Sequence, residues 1–412
     1  MNTTIRFKLS VMMFLEFFIW GAWFVTLGTF LGSNLKATGA ETAAVFSTQS
    51  WGAIIAPFII GLIADRYFNA EKILGILHII GAFLMYQMYQ SQDVGLFYTY
   101  VLSYMVLYMP TLALVNSVAF NQMNDPEKEF ANIRVWGTIG WIVAGLSISF
   151  IFHWDAAEAI SGGLLKNTFL LAGIAAFILG VFSFTLPKTP PKVSNEKIKI
   201  GDIIGLDALK LLKDKNFAIF FISSILICIP LAFYYQNAHP FLTVAGVENP
   251  TGKMAIGQIS EALFLLLIPV FFSRFGFKKT ILVGMLAWAI RYVLFAYGNG
   301  GDLSFMLIIG IALHGICYDF FFVSGQIYTN SKAGEKYKSA AQGLITLATY
   351  GVGMLIGFAV AGWITDNYKT IEGTTNWQMV WIIPAGIAFV VFLIFAVLFT
   401  DKNKTQDAIA SV

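Results

Sequence analysis

Charge is what this sequence has least of. Of its 412 residues only 12% are Asp, Glu, Lys or Arg while 58% are hydrophobic, and a soluble domain carries about 25% charged residues. With a mean hydropathy of +0.73, the chain reads as an integral membrane protein. Cysteine is almost missing: Cys228 and Cys317 both lie in apolar runs, which excludes a disulfide framework and a CxxC metal site. Histidine is equally scarce, four residues with no His-x3-His spacing, so no metal is expected. There is no HExxH, no phosphate-binding loop, no Ser–His–Asp grouping and no sizeable soluble stretch. These absences argue against an enzyme, an ATP-driven pump and a bound cofactor. The net charge of +3 is too small to argue for nucleic acid.

What the chain does have is long apolar runs. Twelve segments reach the roughly 20 residues a membrane-spanning helix needs: 9–31, 42–64, 73–91, 95–120, 133–153, 164–186, 216–242, 254–273, 280–298, 303–330, 339–365 and 377–400. The first is too long for a signal-peptide core and is read as a retained span. With the N-terminus placed inside, twenty of the 26 Lys and Arg fall in inside segments and four (Lys36, Lys166, Lys253, Lys369) in outside loops. That asymmetry predicts cytoplasmic termini at both ends. The longest polar stretch follows span six. The predicted organisation is therefore a six-helix half over 1–186, a basic cytoplasmic linker over 187–215, and a second six-helix half over 216–412. "GLDALKLL" in the linker is a candidate interfacial helix.

Ionisable residues within spans are costly and mark water-filled pathways or internal pairs. Among them are Glu16 in span one, His78 in span three, Arg134 in span five, His239 in span seven, Glu261 in span eight, Arg291 in span nine, and His314 and Asp319 in "HGICYDFFFVSG" of span ten. Arg134, Thr138 and Trp141 share one helical face at i, i+4, i+7; so do His314, Tyr318 and Phe321, and Gln258 adjoins Glu261 at i, i+3. Such faces pair a polar reader with an aromatic platform, suited to a small, planar, hydroxylated ligand. Tyr235 and Gln236, in "FYYQNAH" of span seven, extend this set. Glu16, Glu261 and Asp319 are the candidates for proton exchange. His78 is read as packing, Arg291 and Asp319 as a structural ion pair, and the glycines of spans five and eleven as close-packing positions.

Two short basic turns occupy equivalent places in the halves, "GLIADRYFNAEKILG" after span two and "FFSRFGFKKTILVG" after span eight. The first, with its Asp65–Arg66 pair, resembles the loop signature of the major facilitator superfamily. Over nearly its whole length the chain also resembles the nucleoside–proton symporter family within that superfamily. The resemblance is carried by "WGAWFVTLGTF", "YMPTLALVNSVAF", "IRVWGTIGW", "GQISEALFLLLIPVFFSRFG", "AWAIRYVLFAYG" and "HGICYDFFFVSG". It implies an all-α membrane fold of twelve transmembrane helices in two six-helix halves. It further implies proton-driven entry of nucleosides across the bacterial inner membrane, in a monomer whose partners are a nucleoside-like small molecule, protons and the lipid bilayer. Carried over by position, it makes Arg134, Thr138, Gln258 and Glu261 ligand contacts and Tyr318 and Asp319 the span-ten aromatic and carboxylate. Several positions depart from the family pattern. Trp141 stands for a smaller aromatic and His314 for a Tyr. The span-seven Gln and Asn fall on Ala232 and Tyr235, and a shift of one or two residues brings in Gln236 or Asn237. Glu16 replaces a neutral amide. These departures leave another hydroxylated solute such as a sugar, or export by the same fold, as the alternative.

Overall fold

The computed structural model describes residues 2–59, 67–191, 206–370 and 373–400, and among them secondary structure is almost wholly helical. The Asp65–Arg66 turn and most of the basic linker lie outside the described residues. The chain divides into two compact units, Met1–Ile198 with Glu248–Ala255, and Lys199–Val247 with Ile256–Val412.

The first unit contains α1 (Thr3–Phe24), α2 (Leu27–Ser33), α3 (Gly39–Ile59), α4 (Ala70–Gln90), α5 (Val94–Phe120), α6 (Pro126–Leu146) and α7 (Asn167–Ser183). Helix starts are set by short polar side chains that accept orphan backbone N–H groups. Asn2 accepts from Thr4 and Asp93 from Leu96. Trp23, Phe30, Phe97, Tyr104 and Phe169 interlock edge-on or tilted at the core of the unit. Large apolar side chains such as Phe83 and Ile151 instead face outward, 61% and 69% exposed, as expected of a surface solvated by lipid.

The second unit contains α8 (Lys215–Val244), most of α9 (Pro250–Tyr297), α10 (Ser304–Ala312), α11 (His314–Tyr318), α12 (Ser324–Thr346), α13 (Met354–Asn367) and α14 (Trp377–Leu398). Asp214 caps α8 by accepting from Phe217 N–H; that bond, with Lys332 beside it, holds its carboxyl below the ordinary carboxylate value. The linker segment Leu206–Lys213 forms a 3₁₀ turn, and Ala208 within it packs on Ala333, Ala341 and Leu344 of α12. The expected interfacial helix is thus partly absorbed into the core of the second unit.

Ten helical stretches among the described residues are long and apolar enough to cross a membrane, where twelve segments were expected. Part of the difference lies in α9, which runs 48 residues but contains one non-helical residue, Gly276, at φ 73° and ψ 174°. Only glycine adopts that conformation without strain. At about 1.5 Å per residue the continuous helix would be more than twice the depth of a bilayer core, and Gly276 marks where it turns. The remaining difference is α3, which is described only to Ile59. Of the span-five and span-eleven glycines, Gly137, Gly140, Gly353 and Gly357 abut neighbouring helices, whereas Gly343 meets nothing within 4 Å.

One polar clasp holds the first turn of α9 in the first unit. Asp155 Oδ2 accepts from Ser149 Oγ at 2.5 Å and from Thr251 N–H at 3.0 Å, and Ser149 Oγ accepts from Gly252 N–H at 2.7 Å. Asp155 is 3% exposed, so it satisfies donors that water does not reach. Asp155→Ala is expected to destabilise the protein by about 1–3 kcal/mol, the cost of stranding buried donors. A lowered melting temperature in detergent checks this.

Candidate functional site

The candidate residues fall into two sets, one in each unit. In the first unit α1 and α6 run in close contact. The Arg134 guanidinium carbon lies 4.0 Å from the centre of the Phe17 ring, and Trp141 meets Trp20 edge-on at 5.6 Å. Arg134, Thr138 and Trp141 are each half-buried, so each keeps part of its surface exposed. Trp20 Nε1, beside Trp141, is a buried donor with no partner among the described residues.

Glu16 sits deeper, with no exposed surface. His78 Nε2 lies 2.8 Å from Glu16 Oε2, Thr111 Oγ1 lies 2.6 Å from Oε1, and the Tyr108 hydroxyl donates to the Glu16 carbonyl at 2.8 Å. His78, read from the sequence as packing, is therefore the direct partner of Glu16. Thr111 and Tyr108 were not singled out for this role, because nothing in their spacing ties α5 to a single residue of α1.

In the second unit the first element of the site is a close approach between α9 and α11. A Cβ on Gly315 would meet the Ser260 backbone at 2.5 Å, so only glycine allows the two helices to touch there. The contact brings Glu261 beside His314. Arg291 Nη1 lies 3.1 Å from His314 Nδ1, and His314 Nε2 lies 3.8 Å from Glu261 Oε2. A guanidinium can only donate and stays charged. His314 Nδ1 must then be the acceptor, which leaves the ring proton on Nε2, the nitrogen that faces Glu261. Tyr234 completes the line: the Arg291 guanidinium carbon lies 3.6 Å over its ring, and that ring stacks on His314 at 5.4 Å.

This arrangement corrects the expected pair of Arg291 with Asp319. Among the described residues no ion pair joins them: Arg291 Nη1 donates to His314 and the guanidinium lies over Tyr234, and Asp319 Oδ2 is buried without a partner. Asp319 opens a π-helical turn, Asp319–Val323, and a second such turn, Leu347–Gly353, carries Tyr350. Turns of this kind shift the register of a helix and recur at functional positions. Here they accompany a hydrogen bond between the Tyr318 and Tyr350 hydroxyls. Tyr350 also lines a cavity with Phe322, Gln326, Gln342 and Thr346. Neither Tyr350 nor Tyr234 was among the residues picked from the sequence. Tyr350 gives no periodic signal, and Tyr234 is indistinguishable from Tyr235 before their helix is oriented.

Of the remaining candidates, Tyr235, Gln258, Glu261 and Tyr318 are half-buried, whereas Gln236 and His314 are 1% and 3% exposed. Gln236 keeps both side-chain polar atoms unpaired among the described residues, and Asn237 donates to Thr365 Oγ1 at 3.3 Å. Buried polar atoms are seldom left unpaired. Gln236, Asp319 and two nitrogens of Arg291 together form a reserve of unspent donors and acceptors in this unit. No group of three or more His, Cys, Asp or Glu among the described residues could hold a metal ion.

Comparison with known proteins adds a lineage to this geometry. The sequence pattern of the family described as "Nucleoside H+ symporter" matches residues 1–404. The chain is 42% identical to the Escherichia coli (strain K12) protein named "Putative nucleoside transporter YegT", over 98% of this chain and 95% of that one. It is 32% identical to "Nucleoside permease NupG" of the same strain, over 97% of each. A crystal structure of nucleoside transporter NupG superposes with a TM-score of 0.84 at 31% identity, over 98% of this chain and 100% of that one.

Proposed function

The chain belongs to the nucleoside–H+ symporter family, and from that membership we propose that its polar clusters bind a nucleoside and exchange the proton that drives its entry. As a member of this family it is a secondary transporter coupling nucleosides to protons. It is an integral membrane protein with the fold of the major facilitator superfamily. Twelve crossings follow when α9 is counted twice about Gly276 and α3 is added to the ten long helices. The excess of basic residues on one side supports cytoplasmic termini in a bacterial inner membrane. Six-helix halves over 1–186 and 216–412 then flank the linker 187–215. The chain acts as a carrier, without cofactor or catalytic step, and as a monomer.

Within the second unit, Glu261 and Gln258 are the proposed contacts to ribose hydroxyls and base edges; Arg134 and Thr138 are the proposed contacts of the first unit, taken by themselves. Trp141, Tyr235 and Tyr318 offer stacking faces. Gln236 and His314, being buried, orient the groups that touch the ligand. Asp319 exchanges the proton. The observation that carries the reading is the Arg291–His314–Glu261 line. It fixes an N–H toward a half-exposed carboxylate and so holds that carboxylate ready for hydroxyl donors.

Proteoliposomes are expected to accumulate radiolabelled uridine and adenosine under an inward proton gradient. Glu261→Gln is expected to weaken uridine binding about tenfold, the worth of one charge-assisted hydrogen bond at about 1.5 kcal/mol. Uptake that ignores collapse of the gradient would overturn the coupling, and unchanged affinity in the variant would overturn the site. Inhibition by a saccharide and by no nucleoside would move the substrate to sugars.

A further inference from the structure

The hydrogen-bond count around Glu16 does not close if its carboxyl is ionised. Thr111 Oγ1 lies 2.5 Å from the Tyr108 carbonyl and 2.6 Å from Glu16 Oε1. A hydroxyl has one hydrogen and a carbonyl can only accept. Thr111 therefore spends its hydrogen on Tyr108, and its contact with Glu16 is satisfied when Oε1 itself carries the proton. Oε2 then accepts from His78 Nε2–H at 2.8 Å. Both Glu16 carboxyl oxygens and the Thr111 hydroxyl are paired in this arrangement, and no net charge is buried. The alternative, a carboxylate beside an imidazolium, leaves two oxygens competing for one Thr111 hydrogen. In both arrangements the Glu16–His78 pair carries one proton more than a carboxylate beside a neutral imidazole, and removing it would leave an uncompensated negative charge. Glu16 and His78 are 0% and 2% exposed, where such a charge is costly.

The surrounding groups are consistent with this. His78 faces Glu16 from α4, and the phenols of Tyr104 and Tyr108 lie within its electrostatic reach from α5. Arg134 of α6 lies over the ring of Phe17, the next residue. α7, also packed on α1, contains no titratable side chain. The cluster lies wholly in the first unit, whereas Asp319 and Glu261 lie in the second.

The geometry points to Glu16, with His78 and Thr111, as a second proton-carrying site of the transporter, separate from the carboxylates of the second unit. The inference rests on the symport reading above. Glu16→Gln is the sharp test, because the amide reproduces the neutral acid: its NH₂ donates to Thr111 and its oxygen accepts from His78, yet it cannot release a proton.

The expected result is that Glu16→Gln still exchanges uridine across proteoliposomes but moves about one proton fewer per uridine than the native protein. Infrared difference spectra on uridine addition should lack one protonated-carboxyl carbonyl band that the native protein shows. An unchanged proton count with unchanged bands overturns the inference. If Glu16→Gln does not exchange uridine, Thr111→Val decides, because it removes the acceptor of the Glu16 proton and leaves the carboxyl. A shifted carbonyl band is expected there, and an unshifted one overturns the inference. Native protein that moves no protons with uridine would fail the symport reading itself, which separates the two failures.

Discussion

Arg291→Ala is expected to lower uridine uptake by at least about a hundredfold while leaving a folded protein. The guanidinium is fully buried, donates to His314 Nδ1 at 3.1 Å, and lies 3.6 Å over the Tyr234 ring. A hydrogen bond from a charged donor contributes about 1.5–3 kcal/mol, and a desolvated cation–π contact contributes about 2 kcal/mol. Together these exceed about 2.7 kcal/mol, which corresponds to a hundredfold in rate. What that energy maintains is orientation. Without Arg291 the His314 ring is free to place its proton on either nitrogen, and the N–H facing Glu261 is no longer assured. The fold should survive, because the partner left behind is a neutral imidazole and not a stranded charge.

Arg291→Lys separates charge from shape. Lysine keeps a donor but loses the planar face that stacks on Tyr234, so uptake should lie between native and Arg291→Ala. Uptake within about threefold of native in the alanine variant, where about 1.4 kcal/mol makes a tenfold change, would reduce Arg291 to a packing residue. Thermal unfolding in detergent, measured alongside, shows whether any loss of uptake reflects loss of fold.

The architecture was legible because the bilayer imposes a length and a composition that single residues cannot hide. Apolar runs, basic loops and rare ionisable residues all follow from the cost of leaving polar groups in hydrocarbon. The candidate site was legible to the same depth: Glu16, Arg134, Glu261, His314 and Asp319 announced themselves by being charged or titratable where most neighbours are Phe, Leu or Ile.

What the residues touch was not legible. Helical spacing says which side chains share a face of one helix and nothing about which residue of another helix meets them. Arg291 was therefore assigned to Asp319, an anion by type, when in the fold it meets His314. His78 was read as packing because a lone imidazole gives no sign of a carboxylate 62 residues away. The π-helical turns that carry Asp319 and Tyr350 left no periodic trace, since one extra residue per turn is within the scatter of any hydrophobic pattern. The number of long helical stretches differs from the twelve expected segments partly because a glycine with positive φ joins two helices by so short a turn that they form one continuous stretch.

Asp319→Asn is expected to remove about a hundredfold of uridine accumulation when the proton gradient is two pH units, while exchange of uridine at equal pH continues. Each pH unit supplies about 1.36 kcal/mol per proton carried, so one proton across two units concentrates the solute about a hundredfold. Asp319 is 1% exposed and its Oδ2 has no partner among the described residues. An asparagine in its place keeps the volume and the polar atoms but carries no exchangeable proton. The cost should therefore appear in the driven step and spare the binding step, because the residues proposed to touch the nucleoside are unaltered. Counting protons per uridine by reversal potential reads the difference directly. A variant that accumulates uridine like the native protein would free Asp319 of any part in coupling, and one that loses exchange as well would make it a binding residue.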